Sequence, residues 1–105
     1  MARPMILELR IYRLHPGQKK VFLKAFKKAR RFMNKYGVTF VAAWENRERD
    51  DEFLWIRSFD SMKARAQAIE QYYGSPEWGR IVDQIRPPIK SRQIRILRAL
   101  SQRSV

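Results

Sequence analysis

The strongest constraint on the fold is the order in which two side-chain periodicities alternate along only 105 residues. Residues 5–14 alternate between apolar and polar side chains, as in a β-strand with one apolar face. From Gln18 to Tyr36 the apolar residues follow the helical period of about 3.6, which predicts an amphipathic helix capped by Gly37. The Pro16-Gly17 pair between the two segments is typical of a turn.

The remaining sequence predicts a hairpin, a broken helix and a last strand. Residues 38–45 and 52–59 are β-branched and aromatic and flank a charged loop, which indicates a β-hairpin. A second helix is predicted to start at Asp60 or Ser61, to stop at Gly74 and to restart after Ser75, which can cap it. Residues 91–100 alternate again and predict a fourth strand.

This βαββαβ order is typical of the α+β, ferredoxin-like arrangement, an antiparallel sheet with both helices on one face. In strand one we expect Leu7 and its alternate neighbours to face the helices, and Glu8, Arg10 and Tyr12 to lie on the other face. Strand three adds aromatic side chains to that second face. We therefore expect a second copy of the chain to cover it across a twofold axis and to enclose a cavity, forming a dimeric α/β barrel.

Composition narrows the class of protein. The chain contains no cysteine, which excludes disulfides, thiolate nucleophiles and cysteine metal sites and favours a reducing, cytoplasmic location. Neither a signal-peptide pattern in residues 1–5 nor an apolar run long enough to span a bilayer is present. We expect a single soluble domain over residues 1–105, with a core of about 5–100. The net charge of +13 favours anionic partners.

Four segments occur in an order that resembles a known family. Leu7–Tyr12 followed by His15-Pro16-Gly17 is similar to the opening "Y-E-L-R-x-Y…PG" of the NIPSNAP family. The later segments that resemble the family are Val41–Trp44, Phe53–Phe59 and Ser75–Trp78. The resemblance implies a dimeric α/β barrel without a defined biochemical role. The first tyrosine of the opening is replaced by Ile6 here, which would alter any pocket that this position lines.

The predicted second face gathers the candidate site residues. They are Glu8, Arg10, Tyr12, Trp44, Trp55, Arg57 and Arg95. Arginines in a partly dry cavity favour a small anionic or aromatic ligand. For a reaction, Glu8 would be a base whose pKa burial raises, Tyr12 a hydrogen-bond donor and Arg57 the anion anchor. Alternatively, Glu8 forms only an ion pair with a neighbouring arginine.

Other residues give no cofactor or metal site. His15 is the only histidine and lies in a turn, where we expect a structural or solvated role. Haem-binding barrels related to the family ligate iron through a helical histidine, which His15 is not. Asp50, Asp51 and Glu52, with Glu48 nearby, form an acidic cluster in a hairpin loop that also holds Arg47 and Arg49, which indicates a solvated turn. We expect neither a metal nor a cofactor.

Two functional hypotheses follow, and the sequence leaves open whether the protein is an enzyme. The first is a homodimeric barrel that binds a small molecule, with cofactor-independent oxygenase or isomerase activity as an extension. The second is a non-catalytic binding protein. In that case the basic face of the first helix, with eight Lys and Arg from Lys19 to Lys35, would meet nucleic acid, anionic lipid or an acidic partner.

Overall fold

The computed structural model describes residues 5–100, which form a four-stranded antiparallel sheet with helices packed on one face. The elements are β1 (Ile6–Leu14), α1 (Lys19–Arg30), β2 (Thr39–Asn46), β3 (Arg49–Phe59), α2 (Met62–Tyr73), α3 (Pro76–Ile85) and β4 (Ile89–Arg98). The strand order is β2-β3-β1-β4. This arrangement confirms the predicted ferredoxin-like α+β fold, while the ends of the predicted domain, residues 1–4 and 101–105, lie outside the described part.

The first helix is shorter than the sequence predicts. After α1 the hydrogen bonds tighten, since the N–H of Arg31 donates to the carbonyl of Lys28 and a 3₁₀ turn follows at Asn34–Tyr36. Gly37 then takes a left-handed conformation with φ of 84°, as predicted for a cap. A Cβ added there would lie 3.3 Å from the Cβ of Ala68, so Gly37 also allows α2 to approach closely.

The other boundaries shift by a few residues. The strand β3 begins at Arg49, so the hairpin turn consists of Arg47 and Glu48 and is shorter than the predicted loop. The strands of the hairpin continue into charged residues, because the tip of the hairpin is exposed and these side chains remain in water. The hydroxyl oxygen of Ser61 accepts a hydrogen bond from the N–H of Ala64, which identifies Ser61 as the cap of α2.

The predicted assignment of the two sheet faces is wrong. Glu8, Arg10 and Tyr12 lie beneath the helices and are buried, and the ring of Tyr12 packs edge-on against Phe22 of α1 at 5.8 Å. The apolar residues of β1 instead lie on the open face with residues of β3. That open face includes Leu7, Leu9, Ile11, Leu54 and Ile56. The rule that polar residues face outward failed because Glu8 forms hydrogen bonds with Arg10 and Arg57 inside the fold.

Candidate functional site

Four charged side chains from three elements meet between the sheet and the helices. Glu8 and Arg10 lie on β1, and Arg57 is the partner of Glu8 in the antiparallel register with β3. Because paired residues share a face, their side chains point to the same side. Arg65 reaches the same carboxylate from α2. We call these four residues the arginine cluster.

The carboxylate of Glu8 is completely buried and holds the three guanidinium groups together. Its Oε1 accepts hydrogen bonds from Nη1 of Arg10 at 2.6 Å and from Nε of Arg57 at 2.8 Å. Its Oε2 accepts one from Nε of Arg65 at 2.7 Å. Burial by itself would raise the pKa of Glu8, but Arg57, Arg10 and Arg65 together lower it below the usual value. The prediction of a raised pKa is therefore wrong, and Glu8 is ionised and holds the arginines in place.

Positive charge is in excess in the cluster. Three guanidinium groups surround one carboxylate, and the side chains of Arg10 and Arg57 are only 5% and 1% exposed. Removing a charge from water costs several kcal/mol unless it is compensated, and a single carboxylate cannot compensate three cations. The surroundings of Glu8 consequently favour a further negative group.

Aromatic side chains pack around the arginines of the cluster. The hydroxyl of Tyr12 accepts a hydrogen bond from Nε of Arg10 at 2.7 Å, and the hydroxyl of Tyr73 accepts one from Nη1 of Arg57 at 2.9 Å. The ring centroid of Trp55 lies 5.9 Å from Cζ of Arg10 and 5.4 Å from Cζ of Arg57. Within residues 5–100, the buried Nε1 of Trp55 has no hydrogen-bond partner.

The structure thus brings together five of the seven predicted site residues and separates two. Trp44 is opposite Leu54 on the open face and is 49% exposed. Arg95 is opposite Leu9 on that same face. For Trp44 the reason is a register shift between Phe40 and Ala42 in β2, which moves the following side chains to the other face.

Sequence reasoning missed Arg65 and Tyr73. The helical spacing of α2 could have indicated Arg65. Ala68 and Ile69 lie three and four residues further on and belong to the buried side of α2, so Arg65 lies on that same side. Tyr73 directly precedes Gly74, where the second helix is predicted to stop, and its spacing indicates no polar contact. Its hydroxyl accepts from Arg57 of β3, a contact between distant segments that local spacing does not contain.

The other candidate features have structural explanations in the described part of the chain. His15 is exposed, and its backbone N–H donates to the carbonyl of Pro88 at 2.8 Å. Asp50 and Asp51 pair with Lys19 and Arg49. Among residues 5–100, no group of three or more His, Asp and Glu could hold a metal ion. No helix in this range is long and apolar enough to cross a membrane.

A separate cavity of about 440 Å³ lies beside the start of α2. Its lining includes Lys35, Thr39, Gln67 and Gln71, and none of the four residues of the arginine cluster. The cavity and the cluster are therefore distinct features of the same domain.

The fold and the site define a small ferredoxin-like domain with a buried cationic cluster between sheet and helices. The family model of NIPSNAP matches residues 7–102, so this chain belongs to the NIPSNAP family. No curated protein matches the chain.

Solved structures share the fold at low identity. A NIPSNAP family protein of unknown function from Agrobacterium tumefaciens has a TM-score of 0.83 at 22% identity, with 93% of this chain and 92% of that chain covered. An uncharacterised NIPSNAP-like domain protein from Burkholderia xenovorans has a TM-score of 0.81 at 21% identity, with 96% and 90% covered. SnoaB, a cofactor-independent oxygenase from Streptomyces nogalater, has a TM-score of 0.73 at 16% identity, with 93% and 95% covered.

Proposed function

We propose that this NIPSNAP-family protein binds a small organic anion at the arginine cluster. The observation that carries the proposal is the excess of guanidinium groups around the buried carboxylate of Glu8. Arg10 and Arg57 supply charge-assisted hydrogen bonds, which are the stronger class and suit a carboxylate or another planar anion. Their buried aromatic neighbours Tyr12 and Trp55 add apolar contact surface beside the guanidinium groups, a combination that suits an organic anion.

Glu8 has a positioning role in this proposal. Its two oxygens fix three flexible arginine side chains before a ligand arrives, which reduces the ordering cost of binding. A carboxylate with a lowered pKa is a weak base, so we do not assign proton abstraction to Glu8. Tyr12 remains a hydrogen-bonding group and Arg57 an anion anchor. SnoaB shares only the fold at this identity, so we propose binding and no reaction.

We further propose that the open face of the sheet pairs with a second copy of the chain. Leu9, Ile11, Leu54 and Ile56 form an apolar surface there, with Trp44 49% exposed beside them. A surface of this kind is typical of an interface, and a twofold contact would bury both copies at once. In this proposal the pairing face is the opposite of the one predicted from sequence.

Titration calorimetry with benzoate tests the anion site. We expect saturable binding by the wild-type protein and its loss in Arg10→Met, which removes the guanidinium but keeps an unbranched side chain. The matched control is Arg95→Met, since Arg95 lies on the other sheet face. Equal loss in both variants would show binding to the basic surface as a whole and would overturn the site.

A second candidate function is favoured by the outer face of α1. Lys20, Lys24, Lys27 and Arg31 are exposed there and have no carboxylate partner within residues 5–100. Such a surface suits a phosphate polymer, whose binding weakens steeply with salt. Fluorescence titration of a labelled oligonucleotide at about 50 and about 200 mM salt separates the two functions, because binding through phosphate contacts weakens steeply over this range. Binding that is insensitive to salt, or unchanged in Lys24→Gln/Lys27→Gln, would exclude this second function.

A further inference from the structure

We infer that the anion is amphiphilic, with its charged head at Arg10 and Trp55 and its apolar body along β4. This inference rests on the proposed anion site and adds the chemical class of the ligand. Its first basis is the register of β1 and β4, in which Arg10 is opposite Ile94 and Glu8 is opposite Ile96. Opposite residues share a face, so both isoleucines lie on the helix side of the sheet, next to the cluster.

The helices leave these two isoleucines uncovered. Ile94 is 40% exposed and Ile96 is 43% exposed, whereas Arg10 is 4% exposed and Glu8 is completely buried. The helix layer therefore covers β1 but leaves β4 exposed at these two positions. We call Ile94 and Ile96 the β4 strip. Residues two apart on a strand are separated by about 7 Å, so the strip presents a short apolar surface.

The second basis is the unpartnered donor of Trp55. This side chain is only 3% exposed, and its Nε1 has no acceptor within residues 5–100. A buried donor without an acceptor is unfavourable, so an anionic oxygen that accepts from Nε1 is favoured there. Trp55 is opposite Arg10 in the register of β1 and β3, so the two side chains share one face, with the Trp55 ring centroid 5.9 Å from Cζ of Arg10.

The chemistry of the combined surface selects one class of ligand. Inorganic phosphate would use the arginines and leave the β4 strip in water. A neutral apolar molecule would cover the strip and leave the excess positive charge uncompensated. A monocarboxylate with an aliphatic or aromatic body uses both surfaces. The recognised ligand is thus an organic acid with an apolar body.

A series of straight-chain carboxylates tests this inference. Acetate, butanoate, hexanoate and octanoate are titrated by calorimetry at constant pH and ionic strength. We expect the affinity to rise by up to roughly fourfold for each added methylene that is removed from water, until the strip is covered. In Ile94→Ser the gain from acetate to octanoate should shrink. The matched control is Leu23→Ser, because Leu23 is 37% exposed but lies on α1, outside both the β4 strip and the proposed pairing face.

The outcomes separate this inference from the anion site. Binding that needs Arg10 but has the same affinity for all four carboxylates would overturn the amphiphilic ligand and leave the site intact. Absence of binding by every member of the series would overturn the anion site itself. A change of oligomeric state in Ile94→Ser, measured by light scattering, would assign the β4 strip to contact with a second copy and would also overturn the inference.

Discussion

Glu8→Gln should destabilise the protein far more than Arg10→Met, although both remove one partner of the same ion pair. The substitution to glutamine leaves three buried or half-buried guanidinium groups without their counter-charge. Removing one partner of a buried pair costs about 3–5 kcal/mol. For a domain of this size, each kcal/mol corresponds to a shift of about 4–8 °C in Tm. We therefore expect Tm to fall by about 12–40 °C in Glu8→Gln.

Arg10→Met leaves Glu8 with two guanidinium partners, Arg57 and Arg65. The loss of a charge-assisted hydrogen bond, about 1.5–3 kcal/mol, is offset because one desolvated cation is also removed. We expect a net cost of about 0–2 kcal/mol. Urea unfolding followed by circular dichroism measures both variants, with Glu70→Gln on the exposed side of α2 as the control for a surface glutamate.

Equal destabilisation by the two cluster variants would refute the reasoning that positive charge is in excess. Added phosphate provides an independent readout. An anion that binds only the folded state stabilises it more at a given concentration the tighter it binds. Glu8→Gln has one more uncompensated positive charge at the cluster, so phosphate should raise its Tm more than that of the wild type. An equal rise in both proteins would place phosphate elsewhere on the basic surface. If Glu8→Gln does not fold without phosphate, the rescue by phosphate is itself the measurement.

Three further predictions concern the fold, the interface and pH. Gly37→Ala should lower the free energy of unfolding, measured in urea, by about 1–2 kcal/mol, because φ is positive at Gly37 and Ala68 is close. Gly79→Ala, in the exposed middle of α3, should raise it by up to about 1 kcal/mol. A change of the same sign in both variants would contradict the cap geometry. Ile56→Glu should lower the mass measured by light scattering from about twice the chain mass of 12.7 kDa to that of the monomer, because it places a charge on the pairing face. Leu23→Glu on the exposed side of α1 should leave the mass unchanged. A monomeric wild type would exclude the pairing. The pKa of Glu8 in the folded state lies below its usual value of 4.5. The ionised carboxylate therefore contributes to the free energy of unfolding above about pH 4.5, and this contribution is lost as the pH falls through the lowered pKa. Glu8→Gln should lack this part of the pH dependence of stability, and identical pH profiles for the variant and the wild type would contradict the assignment.

Local patterns were sufficient to predict the fold. The turn at Gly17, the cap at Gly37 and the restart after Ser75 each follow from the conformational preference of one residue and its neighbours. The early end of α1 could not be read from the sequence, because the apolar period continues through Phe32. In the structure Phe32 stacks on Tyr72 at 5.0 Å, a contact between α1's extension and α2 that local spacing does not contain.

The sequence predicted most of the residues that meet in the site, but it predicted the wrong face of the sheet for them. The alternation of β1 correctly placed Glu8, Arg10 and Tyr12 together, since side chains two apart share a face. Which face the helices cover depends on tertiary packing, and two half-apolar faces gave no decisive signal. Trp44 was misplaced for a different reason, since a bulge in β2 shifts the register without any glycine or proline to mark it.

The indole N–H of Trp55 gives the most direct test of the anion site. The chain contains three tryptophans, so a nitrogen–proton correlation spectrum shows three indole signals, and Trp55→Phe identifies the one that belongs to Trp55. On titration with octanoate we expect this signal to move saturably, while the signals of Trp44 and Trp78 change little. An unmoved Trp55 signal at concentrations where calorimetry detects binding would show that the anion binds elsewhere, and would contradict the proposed site at the arginine cluster.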